Sequence, residues 1–358
     1  MSNYYADANT AKGFYSLKTS NLEGLKKVFI LLGGPGTGKS TLIKNIAFFF
    51  EKQGLDTQKL HCPLENNALS GVIIPKIKCA IVNGTPPNYF ELNALGVIEE
   101  YIDLSIAIDK GMLNKYYKEI FEKGYQKKQK LDLAYKTFND ALKIHDEWED
   151  IYISNMDFKK AEHLAKEMNH KIFGNKDANK KSILRERFLG AATPNGPVDF
   201  IEDLTKNIEK RYFIKGRPGT GKSTFLKSVL AQGINKGFDL EVYHCGFDPD
   251  SLDMIIIPEL DIAIYDSTSP HEHFPKRAQD EILDMYEELV IPGTDEKYSL
   301  ELTSIKSQYN AKIADGTNYL KRAKLLNDEL KKYYLRATDF KKIDMLQKSI
   351  TDFFEKYR

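Results

Sequence analysis

The sequence predicts an α/β protein of two tandem domains, each a parallel sheet flanked by helices and carrying a long helical hairpin or arm. Three observations carry that expectation. Short apolar runs such as Val28 to Leu32 and Tyr212 to Ile214 read as buried strands, and each leads through a glycine-rich turn into a helix-like stretch. The glycine-rich sentence is written twice, as Gly33-Gly34-Pro35-Gly36-Thr37-Gly38-Lys39-Ser40-Thr41 and as Gly216-Arg217-Pro218-Gly219-Thr220-Gly221-Lys222-Ser223-Thr224, 183 positions apart. Proline-free stretches rich in Lys, Glu, Leu and Tyr, with Leu131, Tyr135, Phe138 and Leu142 at helical spacing, fill much of the rest of each half.

The 183-residue offset extends well beyond the turns. His61-Cys62 matches His244-Cys245, Ile73-Ile74-Pro75 matches Ile256-Ile257-Pro258, and Thr85 and Pro87 match Thr268 and Pro270. Asp157-Phe158-Lys159-Lys160 returns as Asp339-Phe340-Lys341-Lys342, one residue out of step. The chain is a tandem duplication. Residues 1–178 form the first repeat, with its arm at about 89–172, and residues 179–358 the second, with its arm at about 276–358. The polar stretch Gly174 to Lys181 is the linker.

In order along the chain, residues 1–25 are a leading segment with turn signals at Gly13 and Ser20-Asn21. Strands are expected at Lys27 to Leu32, Lys59 to Cys62, Val72 to Ile74 and Cys79 to Val82, with a helix from Lys39 to Gln53 stopped by Gly54. The second repeat follows the same plan. It adds a strand at Phe188 to Ala192, a helix at Val198 to Lys206, and helices at Glu281 to Glu288 and Leu300 to Tyr357, broken at Pro292-Gly293.

Both turns fit G-x-x-x-x-G-K-S, a P-loop (Walker A) pattern in its strand–loop–helix context, so the fold class is two tandem P-loop NTPase domains. Glycines let backbone N–H groups turn inward on a phosphate chain, and the new helix adds the positive end of its dipole. Lys39 and Lys222 are expected on the β- and γ-phosphates of ATP. Ser40 and Ser223 are expected on Mg²⁺. Asp266, ending the apolar run Ile262 to Tyr265, is the expected carboxylate of the metal shell; Asn83 stands at the matching place. Polar residues drift the same way: Asp250 matches Asn67, Asp253 matches Ser70, and His271 matches Asn88. Asp248, Asp266, His271 and Lys222 are therefore the catalytic candidates, and the second site is expected to be the more catalytic, the first the more binding or regulatory. Turn capping by the same acids is the competing explanation.

Other features exclude or leave open. The His-Cys pairs lack spaced partners for a metal, and alternate faces of a strand set one into the core and one toward the crevice. Lys127-Lys128-Gln129-Lys130 reads as a solvated helix face, and Trp148 as packing between helices. Arg187 and Arg211 are candidates to cross to the other site, and Arg277 and Arg322 are candidates for the lid arginines that a kinase needs. A net charge of +1 gives no long-range pull toward nucleic acid or anionic lipid. Three cysteines suit a reducing, cytoplasmic setting, and no apolar run is long enough to span a bilayer. Absence of an Asn-Lys-x-Asp stretch favours ATP over GTP.

The combination of GGPGTGKST at 33–41, GRPGTGKST at 216–224, His-Cys at 61 and 244, the run from Ile256 to His271, and PGTDEKY at 292–298 resembles a bacterial family of tandem P-loop ATP-binding proteins, found mainly among Gram-positive relatives. The resemblance covers nearly the whole chain. It implies ATP binding and ATPase activity, and no pathway. Family members tend to carry Asp-Gly-Thr and Pro-His in the first half also; here Asn83-Gly84-Thr85 and Pro87-Asn88 depart from that pattern. Three functions follow for testing: an ATPase whose halves form an internal pseudo-dimer and whose arms report to a protein partner, a small-molecule or nucleotide kinase, and a non-catalytic nucleotide-responsive scaffold.

Overall fold

The computed structural model describes residues 1–88 and 94–358. The first repeat runs β1 (Ser2–Tyr4), β2 (Asp7–Thr10), β3 (Gly13–Ser16), α1 (Lys18–Leu22), β4 (Lys27–Leu32), α2 (Lys39–Lys52), β5 (Gln58–Cys62), β6 (Glu65–Ile74), β7 (Cys79–Asn83), β8 (Glu99–Asp103), α3 (Lys110–Asn114), α4 (Tyr117–Ile153) and α5 (Phe158–Phe173). The second runs β9 (Leu184–Phe188), β10 (Gly190–Thr193), β11 (Gly196–Asp199), α6 (Ile201–Thr205), β12 (Lys210–Lys215), α7 (Lys222–Asn235), β13 (Leu240–His244), β14 (Leu252–Ile257), β15 (Ile262–Asp266), β16 (Glu281–Asp284), α8 (Met285–Leu289), α9 (Thr294–Lys297), α10 (Ser299–Ala337) and α11 (Phe340–Glu355). Among the described residues no helix is long and apolar enough to cross a membrane.

Each repeat builds one six-stranded sheet, and the two orders correspond strand for strand: β1-β5-β6-β7-β4-β8 and β9-β13-β14-β15-β12-β16. The sheets are mostly parallel and flanked by helices, but they are mixed, which corrects the expected parallel sheet. β6 runs antiparallel to both β5 and β7, and β14 to both β13 and β15. The cause is connection length. Parallel neighbours need a crossover of about a dozen residues, whereas Pro63-Leu64 and Pro75 to Lys78 are only long enough to reverse the chain.

Two further corrections concern the sheet edges. β16 lies where a helix is expected at Glu281 to Glu288, and β8 lies inside the stretch read as arm; both pair with the strand leading into the glycine-rich loop. The start of that arm, at residues 89–93, lies outside the described residues. The helix expected from Val198 is shortened to α6, because Gly196–Asp199 pairs with β10 as a hairpin.

The halves meet about a pseudo-twofold axis. Tyr5 and Phe188, equivalent residues, exchange reciprocal backbone hydrogen bonds of 3.0 and 2.9 Å. The long helices α4 and α10 pack antiparallel on each other, with Phe138 over Gly316 and Lys123 paired with Glu329. Each arm then crosses to the other half. Asp109 and Ala107 bond to Ala337 and Asp339, and the equivalent pair of bonds joins Asp157 and Asn155 to Leu289 and Ile291.

The consequence is an exchange of terminal helices. α11 buries Ile343, Ile350 and Phe354 in the core of the first half, against Phe29, Ile46 and Phe50. α5 buries Met168, Ile172 and Phe173 in the core of the second, with Ile214, Leu226 and Val229. Each fully buried side chain of this size contributes about 1.5–3 kcal/mol. Sequence periodicity identifies the apolar faces of α5 and α11 but not the sheet each one covers.

Candidate functional site

Both glycine-rich loops join the C-terminal end of a central strand to a helix. The first follows β4 and opens α2; the second follows β12 and opens α7. Gly36 and Gly38 have φ of 81° and 88°, and Gly219 and Gly221 repeat the conformation at 75° and 82°. Residues with a Cβ rarely adopt that region, and alternating it with right-handed residues turns successive N–H groups into one concavity. Thr37 closes the first loop on the Gly34 carbonyl at 2.9 Å; Thr220 closes the second on Arg217 at 2.8 Å.

The lysines fold back over their loops. Lys39 Nζ donates to the Gly33 and Gly34 carbonyls at 2.7 Å each. Lys222 Nζ donates to Arg217 at 2.8 Å and stands 3.7 Å from the Asp266 carboxylate. Ser40 Oγ accepts the Leu69 N–H at 2.9 Å, and Ser223 Oγ that of Leu252 at 3.0 Å, so the antiparallel strand orients both hydroxyls. Pro35, Thr41, Pro218 and Thr224 lie within or just after these loops.

The exchanged arms bring each loop a cover from the opposite repeat. At the first loop the backbone of Lys331 on α10 packs on Gly36, where a Cβ would lie 2.9 Å from its carbonyl, and the Tyr334 ring lies on Gly34. At the second loop the backbone of Glu149 on α4 lies against Gly219.

The two sites differ in charge. The first loop borders a cavity of about 940 Å³ with Lys39, Lys127, Lys324 and Lys331 in its wall. Glu65 and Asp132 are the carboxylates in that wall, and Glu65 is held by Lys331 and by Asn327 at 2.6 Å each. Lys127 reaches Asn327 at 3.2 Å and is half-buried, so the solvated face expected for it is corrected. Burial lowers the Lys39 pKa to about 8, with Lys127 and Lys331 adding repulsion. Burial also lowers Lys127. Asn83 and Asn88 complete the floor with neutral groups.

The second site gathers carboxylates. Asp266 Oδ1 accepts from Thr268 N–H at 3.0 Å and from its hydroxyl at 2.6 Å. Burial, with Asp266 beside it, pushes the Asp253 carboxyl up to about 7. Burial opposes charge on His271, but its 3.1 Å contact with Asp199, with Asp253 and Asp266 nearby, outweighs burial and raises its pKa. Asp248 is tied to Lys12 at 3.3 Å and to Ser251 at 3.2 Å. From α4 come His145, Asp146 and Glu149, with one ligand-type atom of each within 4.8 Å of the others. Burial raises the Glu149 carboxyl, and the neighbouring Gly219 N–H and the charge of Lys222 pull it back.

Lys222, Asp266 and His271 are thus brought together with Asp253, while the contacts of Asp248 are with Lys12 and Ser251. Sequence reasoning missed the arm residues Lys331, Asn327, Glu149 and His145, and set Lys127 on a solvated face. None of the four arginine candidates reaches a loop. Arg187 is buried against Asn21, Glu241 and the Tyr4 ring; Arg211 pairs with Asp280 at 2.6 Å; Arg277 caps the Ile208 and Lys206 carbonyls; Arg322 lies over Tyr319. In the first His-Cys pair, His61 packs on Phe200 with ring centroids 4.4 Å apart, while Cys62 lines the first cavity. Trp148 packs between the arms on Tyr309. Comparison with protein-family models, with curated proteins and with solved structures found no match.

Proposed function

We propose that the protein is a P-loop ATP-binding protein with two inequivalent sites, the first holding nucleotide and the second equipped to hydrolyse it. The observation that carries this reading is the first cavity, where an inward-turned backbone, Lys39 and lysines from both arms converge on one space of about 940 Å³. Such a space matches the chemistry of a phosphate chain, which needs many donors and cations within a few ångströms. Ser40 and Ser223 would take Mg²⁺, joined at the second site by Asp266. The metal would shield the phosphate charge and polarise the bond to be broken. Asp253, with a pKa near neutrality, and His271 are the groups able to accept a proton from an attacking water. The neutral Asn83 and Asn88 at the first site support retention of nucleotide without cleavage.

ADP release from MgATP with no acceptor present tests the reading. Steady release supports an ATPase, release only on adding metabolites supports a kinase, and binding without release supports a scaffold. Failure to retain ATP at millimolar concentration overturns all three.

A further inference from the structure

One matched position on the two arms touches both loops. Lys331 on α10 and Glu149 on α4 each stand eight residues before the Asp that caps the following helix, and each lays its backbone on the middle glycine of the opposite repeat's loop. Main-chain placement is the same at both sites; the side-chain charge is reversed.

We propose that this arm residue decides which loop admits a phosphate: Lys331 clamps the phosphate chain at the first loop, while the Glu149 carboxylate occupies the phosphate position of the second and keeps it closed to nucleotide until α4 withdraws. The proposal rests on the reading of both loops as phosphate sites. A carboxylate satisfies the N–H donors that a phosphate oxygen would take. The Glu149 backbone lies directly on Gly219, which brings its carboxylate beside that glycine's N–H, with Lys222 as the nearby counter-charge. A phosphate entering beside Glu149 would also meet Asp146, whose carboxylate lies within 4.8 Å of that of Glu149, and the negative field of Asp248. At the first loop Lys331 is already charged and oriented by Glu65 and Asp328.

A second contact latches the closed arm. Asp295 accepts from Arg217 of the loop at 3.1 Å and from the Tyr152 hydroxyl of α4 at 2.7 Å. The first loop has Gly34 where the second has Arg217, so this tie exists on one side only. The second site is in this account a latent one: its catalytic carboxylates are assembled, and its phosphate nest is filled from within the chain.

The test counts nucleotide on the intact protein by equilibrium dialysis with magnesium and a non-hydrolysable ATP analogue. Wild type is expected to bind one per chain, lost in Lys39→Ala and kept in Lys222→Ala. Glu149→Lys, which gives the second arm the charge of the first, is expected to bind two, and Lys222→Ala in that background to return it to one. Glu149→Ala, expected also to bind two, covers the case in which the lysine variant fails to fold; unfolding temperatures report that. Lys331→Glu is expected to weaken the first site at least tenfold. Two analogues on wild type, or one on both folded Glu149 variants, overturns the proposal while leaving the functional reading intact. No analogue on any variant removes the functional reading itself.

Discussion

Phe354 stacks on Phe29 with ring centroids 5.3 Å apart and an interplanar angle of 25°, although one residue lies near the start of the first repeat and the other near the end of the second. Phe29 is on the strand that leads into the first loop, and α11 follows the arm whose Lys331 covers that loop. The ring pair therefore fixes the first site through residues of both repeats.

Phe354→Ala should destabilise the protein by about 3–5 kcal/mol, the usual cost of deleting a fully buried aromatic. Denaturant titration measures it. The equivalent loss on the other side, Phe173→Ala, should cost a similar amount, since Phe173 is equally buried against Phe238. A loss below 1 kcal/mol in both would contradict the exchanged packing.

Nucleotide affinity at the first loop should fall as pH rises through 8. Burial lowers Lys39 to about 8 in the free protein. Bound phosphate favours the charged ammonium, so binding takes up a proton above that pH, and affinity declines toward about tenfold per pH unit. Calorimetry in buffers of different ionisation enthalpy reads the proton directly. Flat affinity from pH 7 to 10 would exclude Lys39 from the contact.

Asp253→Asn should stabilise the fold at alkaline pH. The carboxyl is raised to about 7, against about 3.9 in an unfolded chain. The native state therefore holds a proton that the unfolded state releases, and this contribution is full below pH 4 and lost as pH rises through 7. Above pH 8 wild type carries a desolvated charge beside Asp266, which the amide removes. The variant's melting temperature should exceed that of wild type at pH 8, by about 2–4 °C for each kcal/mol relieved, and the gap should narrow as pH falls below 7 and close near pH 4. A gap independent of pH would mean that packing is responsible.

Once Glu149→Ala opens the second loop to nucleotide, hydrolysis should depend unequally on the two lysines. Lys222→Ala should abolish turnover, because Lys222 stands beside Asp266, Asp253 and His271. Lys39→Ala should leave a measurable rate. Equal loss in single-turnover assays would remove the division of labour.

What was legible in the sequence was local. β4, β12, α2 and α7 fall where apolar runs and glycines set them, because strand burial and helix initiation are decided within a few residues. The reversed direction of β6 was present in the four-residue step from Ile74 to Cys79, but pairing direction depends on the connection rather than on the strand. The arms hid more. Lys127 sits in a run of lysines with acids nearby, which looks solvated until α10 is laid against it. Glu149 and Lys331 carry no motif, since each acts on the repeat that does not encode it. The asymmetry of Asp266 and Asn83 was visible from alignment of the repeats, while the open cavity on the Asn83 side and the carboxylate cover on the Asp266 side follow from the crossing of the arms.

The crossing also dictates an order of events in making the protein. When the first repeat leaves the ribosome, its sheet has β4 and α2 in hand but lacks α11, so Phe29 and Ile46 face water until the last helix emerges. Contacts of that sequence separation carry a large loop-closure cost and slow the final step. Completion of the first half before the second is ruled out by the connectivity, whereas the second half, whose borrowed α5 precedes it in the chain, has every part of its core once α8 has emerged.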